Sequence, residues 1–113
     1  MSLRDDRARL EHMLEHAEEA VAMAAGRSRE DLDTDRQLNL SLVRLLEIVG
    51  EAAARVSEER RSASPAIPWP DIVGLRNRLV HGYDEVDFDI LWDIIEIDLP
   101  PLVDQLRKII GPT

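Results

Sequence analysis

The run LRNRLVHGY, residues 75–83, sets Arg76, Asn77, Arg78, His81 and Tyr83 close together in an otherwise strongly acidic chain. A guanidinium group offers a planar fork of donors to phosphate or carboxylate. An imidazole takes up and gives back protons near neutral pH. These residue types can therefore hold an anion and move a proton beside it, provided the backbone aims them at one place.

Helical periodicity shows what the backbone must do. On a wheel of about 100° per residue, Ile72, Val73, Leu75, Leu79 and Val80 form one apolar stripe. Arg76 and Tyr83 fall inside that stripe, whereas Asn77, Arg78 and His81 lie on the other side. A buried guanidinium is costly unless paired, so Arg76 is expected to meet a carboxylate or face a wet cleft, with Glu47 and Glu51 as candidate partners. Taken singly, an arginine so placed is more often a paired structural residue, and a helix-end histidine more often a cap. Arg76 and His81 are five residues apart, about 140° around an ideal helix, so one straight helix does not aim both at one point. Either the helix unwinds before Gly82, or the site is built between two chains.

The elements carrying these residues read as helices throughout. Leu10, Met13, Leu14, Ala17, Val21 and Ala24 recur at helical spacing from about Asp5 to Ala25, and Gly26 ends that helix. RSREDLDT reads as a polar connection, after which Thr34 or Asp35 can cap a second helix reaching about Glu59. Leu38, Leu42, Leu45, Val49, Ala52 and Val56 form its core stripe, while Leu40, Val43, Gly50 and Ala54 project roughly opposite and predict a second packing partner. RRSASPAIPWP reads as a loop, and Pro70 suits the first turn of a third helix that carries Arg76 and ends near Gly82. Asp87 can cap a fourth helix, FDILWDIIEID, packed through Ile90, Leu91, Trp92, Ile94 and Ile95. LPPL then bends the chain into a short last helix with Leu102, Val103, Leu106, Ile109 and Ile110. The expected fold is a single all-α domain over residues 1–113, an antiparallel up-and-down bundle of four main helices plus a short C-terminal one.

Composition narrows the partners. With 113 residues, 44% hydrophobic and 33% charged, the chain suits a soluble helical domain. The absence of cysteine excludes disulfides and thiolate metal sites. No apolar run approaches the roughly 20 residues needed to cross a bilayer, so a cytoplasmic location is expected. A net charge of −9 opposes broad electrostatic adhesion to nucleic acid, so any such contact must be local. His12-Met13-Leu14-Glu15-His16 matches H-x-x-E-H, an inverted zinc-protease pattern, but both histidines fall opposite the apolar stripe of their helix and read as a solvated face.

The stretch Arg76-Asn77-Arg78-Leu79-Val80-His81-Gly82-Tyr83 resembles the R-x4-H-x-Y signature of HEPN-domain proteins, specifically the HepT-like toxins of toxin–antitoxin systems. IVGEAAARVSEE, PWPDIVGLRNRLVHGYDEVD and ILWDIIEIDLPPL resemble stretches of that family in the same order. The resemblance implies a HEPN-like homodimer whose paired motifs meet in a cleft and cleave RNA without a metal or other cofactor. His81 would be the general acid/base, Arg76 the phosphate ligand and Asn77 a hydrogen-bonding support, with Arg78 and Glu51 in lesser supporting roles. Tyr83 would be the position where a cognate MNT-type nucleotidyltransferase antitoxin attaches AMP, as in HepT/MntA pairs of the type VII class. The alternative is a non-catalytic helical subunit that docks a nucleotidyltransferase or a nucleotide.

Overall fold

Ordered apolar residues at three- and four-residue spacing build the first element, α1 (Leu3–Ala24), in a computed structural model that describes residues 3–82 and 85–111. Leu10, Met13, Ala17, Ala20 and Ala24 are buried on one side of it. Gly26, at φ 76°, turns the chain out of the helix in a conformation that costs glycine little.

The expected polar connection holds a short helix, α2 (Asp31–Thr34). The single leucine in RSREDLDT accounts for it: Leu32 is fully buried, and its carbonyl accepts a 2.9 Å hydrogen bond from Nδ2 of the buried Asn39. Asp35 then caps α3 (Arg36–Ala54), its Oδ1 accepting from the Leu38 N–H at 3.0 Å. The Arg27 guanidinium at 2.7 Å and that backbone N–H hold the Asp35 carboxyl below its ordinary range. All six residues of the expected core stripe of this helix are buried.

The second helix was expected to reach about Glu59, but α3 stops at Ala54. Ser57 begins a separate short helix, α4 (Glu58–Ser62), by accepting from the Arg60 N–H. Asp6 of α1 accepts from both the Ser57 N–H, at 2.9 Å, and the Ser57 hydroxyl, at 2.7 Å, and so holds the chain out of the helical line. Arg61 folds back and donates to the carbonyls of Ala54 and Val56, satisfying the end of α3. A helix-favouring sequence, RVSEER, had hidden this break.

The third helix is likewise two pieces, α5 (Trp69–Val73) and α6 (Leu75–Leu79), interrupted at Gly74. Pro70 lies in the first turn of α5 as expected, and Trp69 Nε1 donates to the carbonyls of Arg61 and Ser64. The fourth helix and the last one are joined rather than bent apart. Asp87 caps α7 (Phe88–Asp93), a π-helical turn (Ile94–Asp98) follows, and α8 (Leu99–Ile110) continues from it. Pro100 and Pro101 lack the N–H groups that would continue regular four-residue pairing, and the Leu99 N–H reaches back five residues to the Ile94 carbonyl.

Packing follows from these ends. The start of α1 contacts Ser57, just past α3, and the Ile110 carbonyl at the end of α8, so α1 runs antiparallel to both helices. An ion pair between Glu18 and Arg107 joins α1 to α8 further along. Of the second face expected on α3, Gly50 meets α5, whereas Leu40 and Ala54 remain exposed and Val43 borders an open cleft. The result is the expected all-α bundle. No helix among the described residues is long and apolar enough to cross a membrane.

Asp6 is 3% exposed, and its hydrogen bonds from the Ser57 hydroxyl and backbone hold its carboxyl below the ordinary value. A depressed folded value means that this stabilisation is fully present above the unfolded carboxyl's pKa of about 3.9 and is lost as pH falls through the lower folded value. Asp6→Ala should therefore cost about 1–3 kcal/mol at neutral pH. Urea unfolding followed by circular dichroism should show the gap to the unsubstituted protein closing in acid.

Candidate active site

The position of Arg76 is set by a glycine on the opposite helix. A Cβ added to Gly50 of α3 would lie 3.1 Å from the Ile72 carbonyl oxygen and 3.5 Å from that of Val73. A side chain at this position would push α5 away by a few tenths of an ångström or more. Leu75 and Leu79 of α6 then bury their side chains. Arg76, one residue beyond Leu75, reaches Glu47 of α3 through Nε at 3.1 Å.

Arg76 is not buried in an apolar stripe: its side chain is 65% exposed. The wheel assumed one long helix, whereas the interruption at Gly74 leaves only Ile72, Leu75 and Leu79 of that stripe fully inside. Glu47 is its carboxylate partner, as one of the two candidates, and Glu51 is not. Glu51 pairs with Arg44 at 3.4 Å, and Arg44 lies 3.8 Å from Glu47 as well. Because Glu47 holds Nε, the terminal amino groups of Arg76 remain open to a further anion.

His81 stands beyond the helix rather than on it. Val80 is extended, at φ −107° and ψ 119°, and forms an antiparallel bridge with Val86. The His81 N–H donates to the Glu85 carbonyl at 2.7 Å, and the Asp87 N–H to the Leu79 carbonyl at 2.8 Å. Gly82 turns between them at φ 83°. The unwinding considered as one way round the five-residue spacing is therefore present, and it begins after Leu79. Tyr83 lies outside the described residues, and the helical register that set it on the same side as Arg76 does not extend past Leu79.

The imidazole of His81 is 57% exposed, and its Nε2 lies 3.7 Å from Oδ2 of Asp87. That separation is electrostatic contact rather than a hydrogen bond. Sequence reasoning found Asp87 only as a helix cap. Its second role becomes visible once the Val80–Val86 bridge folds residue 87 back beside residue 81. His81 lines a cleft of about 440 Å³ with Arg36, Asn39, Leu40, Val43 and Phe88.

Arg78 points elsewhere, donating to Asp98 at 2.8 Å across a different groove beside Ile97. Asn77 is exposed and, among the described residues, its amide has no hydrogen-bond partner. Within one chain, then, Arg76 and His81 share no carboxylate. They do flank the same solvent-facing side of α3: His81 borders the part around Leu40 and Val43, and Arg76 meets Glu47 one turn further on. The H-x-x-E-H histidines are exposed or half-buried on α1. His16 Nδ1 lies 2.6 Å from the His12 carbonyl, and no group of three potential ligands gathers among the described residues.

Arg76 and His81 are thus both exposed beside α3, each with a carboxylate of its own. The family model described as "Ribonuclease HepT-like" matches residues 13–109, and the chain belongs to that family. Two relatives carry the name "Putative RNase". One, from Caldanaerobacter subterraneus subsp. tengcongensis, is 37% identical over 101 residues, covering 89% of this chain and 90% of the relative. The other, from Methanocaldococcus jannaschii, is 33% identical over 107 residues, covering 95% of this chain and 98% of the relative. A "Probable ribonuclease HepT" from Thermococcus cleftensis is 31% identical over 100 residues, covering 85% of this chain and 91% of the relative. No solved structure matches the chain.

The geometry separates support from function. Gly50→Val should cost about 1–3 kcal/mol, because the added methyls meet backbone carbonyls. Glu47→Gln should change stability by no more than about 0.5 kcal/mol, since its partner guanidinium is solvated. Parallel urea titrations of the two variants check both values.

Proposed function

We propose that this protein is a metal-independent endoribonuclease and the toxin of a type VII toxin–antitoxin pair. The observation that carries the reading is the placement of Arg76 and His81, both exposed and on one side of α3, in a chain of the HepT-like ribonuclease family. His81 accepts the proton of a ribose 2′-hydroxyl, and the freed oxygen attacks the adjacent phosphorus. The bond from phosphorus to the 5′-oxygen breaks as that oxygen receives a proton, leaving a 2′,3′-cyclic phosphate and a 5′-hydroxyl. Arg76 binds the phosphate and stabilises the charge that builds in the transition state. Asp87, beside Nε2, positions the imidazole and leaves Nδ1 for proton transfer. Asn77 supports the cleft, while the engagement of Arg78 with Asp98 and of Glu51 with Arg44 gives those two residues structural roles first.

The active form is a homodimer in which the two motifs face one cleft, since one chain alone gives Arg76 and His81 separate partners. A cognate nucleotidyltransferase attaches AMP to Tyr83 and thereby adds a phosphate that competes with RNA.

Four measurements test this reading. RNA cleavage in EDTA should fall by about 10²-fold or more in His81→Ala. Arg76→Ala should be comparably damaging yet keep its helical circular dichroism, because the side chain is solvated. Light scattering should give a dimer at micromolar concentration. Intact mass after co-expression with the nucleotidyltransferase should rise by AMP units, and Tyr83→Phe should escape both the added mass and the silencing. An EDTA-treated protein that cuts no RNA would hand the motif to the docking alternative.

A further inference from the structure

Among the described residues, Arg9, Arg36 and Arg55 are arginines whose guanidinium groups have neither an ion pair nor a hydrogen bond. In a chain of net charge −9 that is unexpected, because carboxylates are plentiful. Arg36 belongs to the His81 cleft already described. Arg9 and Arg55 stand together at the other end of α3, where with His12 and Glu51 they line a separate cleft of about 230 Å³ between α1 and α3.

Three features make this cleft a site for an anion. First, Arg9 Nε is the one buried side-chain polar atom without a hydrogen-bond partner among the described residues. A buried donor left unsatisfied is unfavourable, and because Nε itself is closed to solvent, an anion in the cleft is met by the terminal amino groups of the same guanidinium. Second, Arg55 is not needed to neutralise the carbonyl end of α3, because Arg61 already donates to Ala54 and Val56 there. Third, Glu51, the only carboxylate in the lining, is engaged by Arg44 on its other side. The local balance is therefore cationic within an acidic molecule.

A row of ion pairs leads from the cleft toward the proposed active site. Glu51 holds Arg44, Arg44 approaches Glu47, and Glu47 holds Arg76, in one row along α3. From position 47 to position 55 the helix rises about 12 Å, a distance that a short length of single strand can span. We infer that Arg9 and Arg55, with His12, form a second phosphate subsite that binds the RNA backbone away from the scissile bond. This rests on the ribonuclease reading, with Arg76 at the scissile phosphate. It also explains how an acidic protein keeps its strand: two separated cationic points align the backbone along α3, while the rest of the surface repels it.

The test uses a fluorescein-labelled single-stranded DNA oligonucleotide, which presents the same phosphates but lacks the attacking 2′-hydroxyl, so binding is read independently of cleavage. Arg55→Gln and the double variant Arg9→Gln/Arg55→Gln should weaken its binding, the double variant by about tenfold at low salt, and should flatten the dependence of log Kd on log salt by about 0.7 unit in the single variant and about 1.4 units in the double. On RNA, KM should rise by a similar factor with kcat within about twofold. Arg55 is exposed, so the single variant reports on binding even if replacing Arg9 disturbs α1. Unchanged binding and unchanged KM in both variants would overturn the subsite while leaving cleavage by Arg76 and His81 intact. A loss of dimer by light scattering with DNA affinity unchanged would also overturn it, because the arginines would then serve a protein interface. DNA binding that depends on Arg9 and Arg55 in a protein that cuts no RNA would support the subsite and count only against the ribonuclease reading.

Discussion

The backbone contact between Gly50 and the Ile72 carbonyl is the constraint on which the rest of this molecule turns. A helix of ordinary side chains keeps its neighbour some 8–10 Å away, axis to axis. By yielding that space at one position, α3 admits a five-residue helix that could not hold itself together in water. α5 and α6 exist as helices because α3 gives them a surface, and because Leu75 and Leu79 commit to it. Arg76 inherits its position from that commitment rather than from any preference of its own.

The same helix organises charge. Arg44, Glu47, Glu51 and Arg76 form an alternating row in which each carboxylate faces two cations or one. Such solvated pairs contribute little to stability. What they do is fix direction, since a guanidinium held by its Nε presents its remaining edge outward. An acidic chain can thus expose a few cations at chosen points without becoming a general polyanion binder.

Much of this was legible in the sequence, and the exceptions share a cause. The helical spacing of Leu10 to Ala24 and of Leu38 to Val56, the Asp35 and Asp87 caps and the place of Pro70 were all readable, because each depends on neighbours within a turn or two. The breaks after Ala54 and at Gly74 were not. The first depends on Asp6, fifty-one residues from Ser57, and the second falls where α5 packs closely on Gly50 of a distant helix. Expecting one continuous helix placed Arg76 inside an apolar stripe and put Tyr83 in register with it. The motif itself could be read as a pattern, and Glu47 stood among the candidate partners. Asp87 as the neighbour of His81 could not be read, because the turn that brings them together follows from an isolated pairing of Val80 with Val86.

Asp87 has a further implication. One oxygen of its carboxylate caps α7 by accepting from the Ile90 N–H, and the other faces the His81 ring. Its own N–H is bound to the Leu79 carbonyl, where α6 ends. A single residue therefore closes one helix, opens the next and stands beside the histidine. A substitution at this position cannot change the histidine's neighbour alone, because it also loosens the start of α7. Adaptation of the histidine's surroundings is accordingly pushed outward, to residues such as Glu85 and Arg36 that line the same cleft and cap neither α6 nor α7.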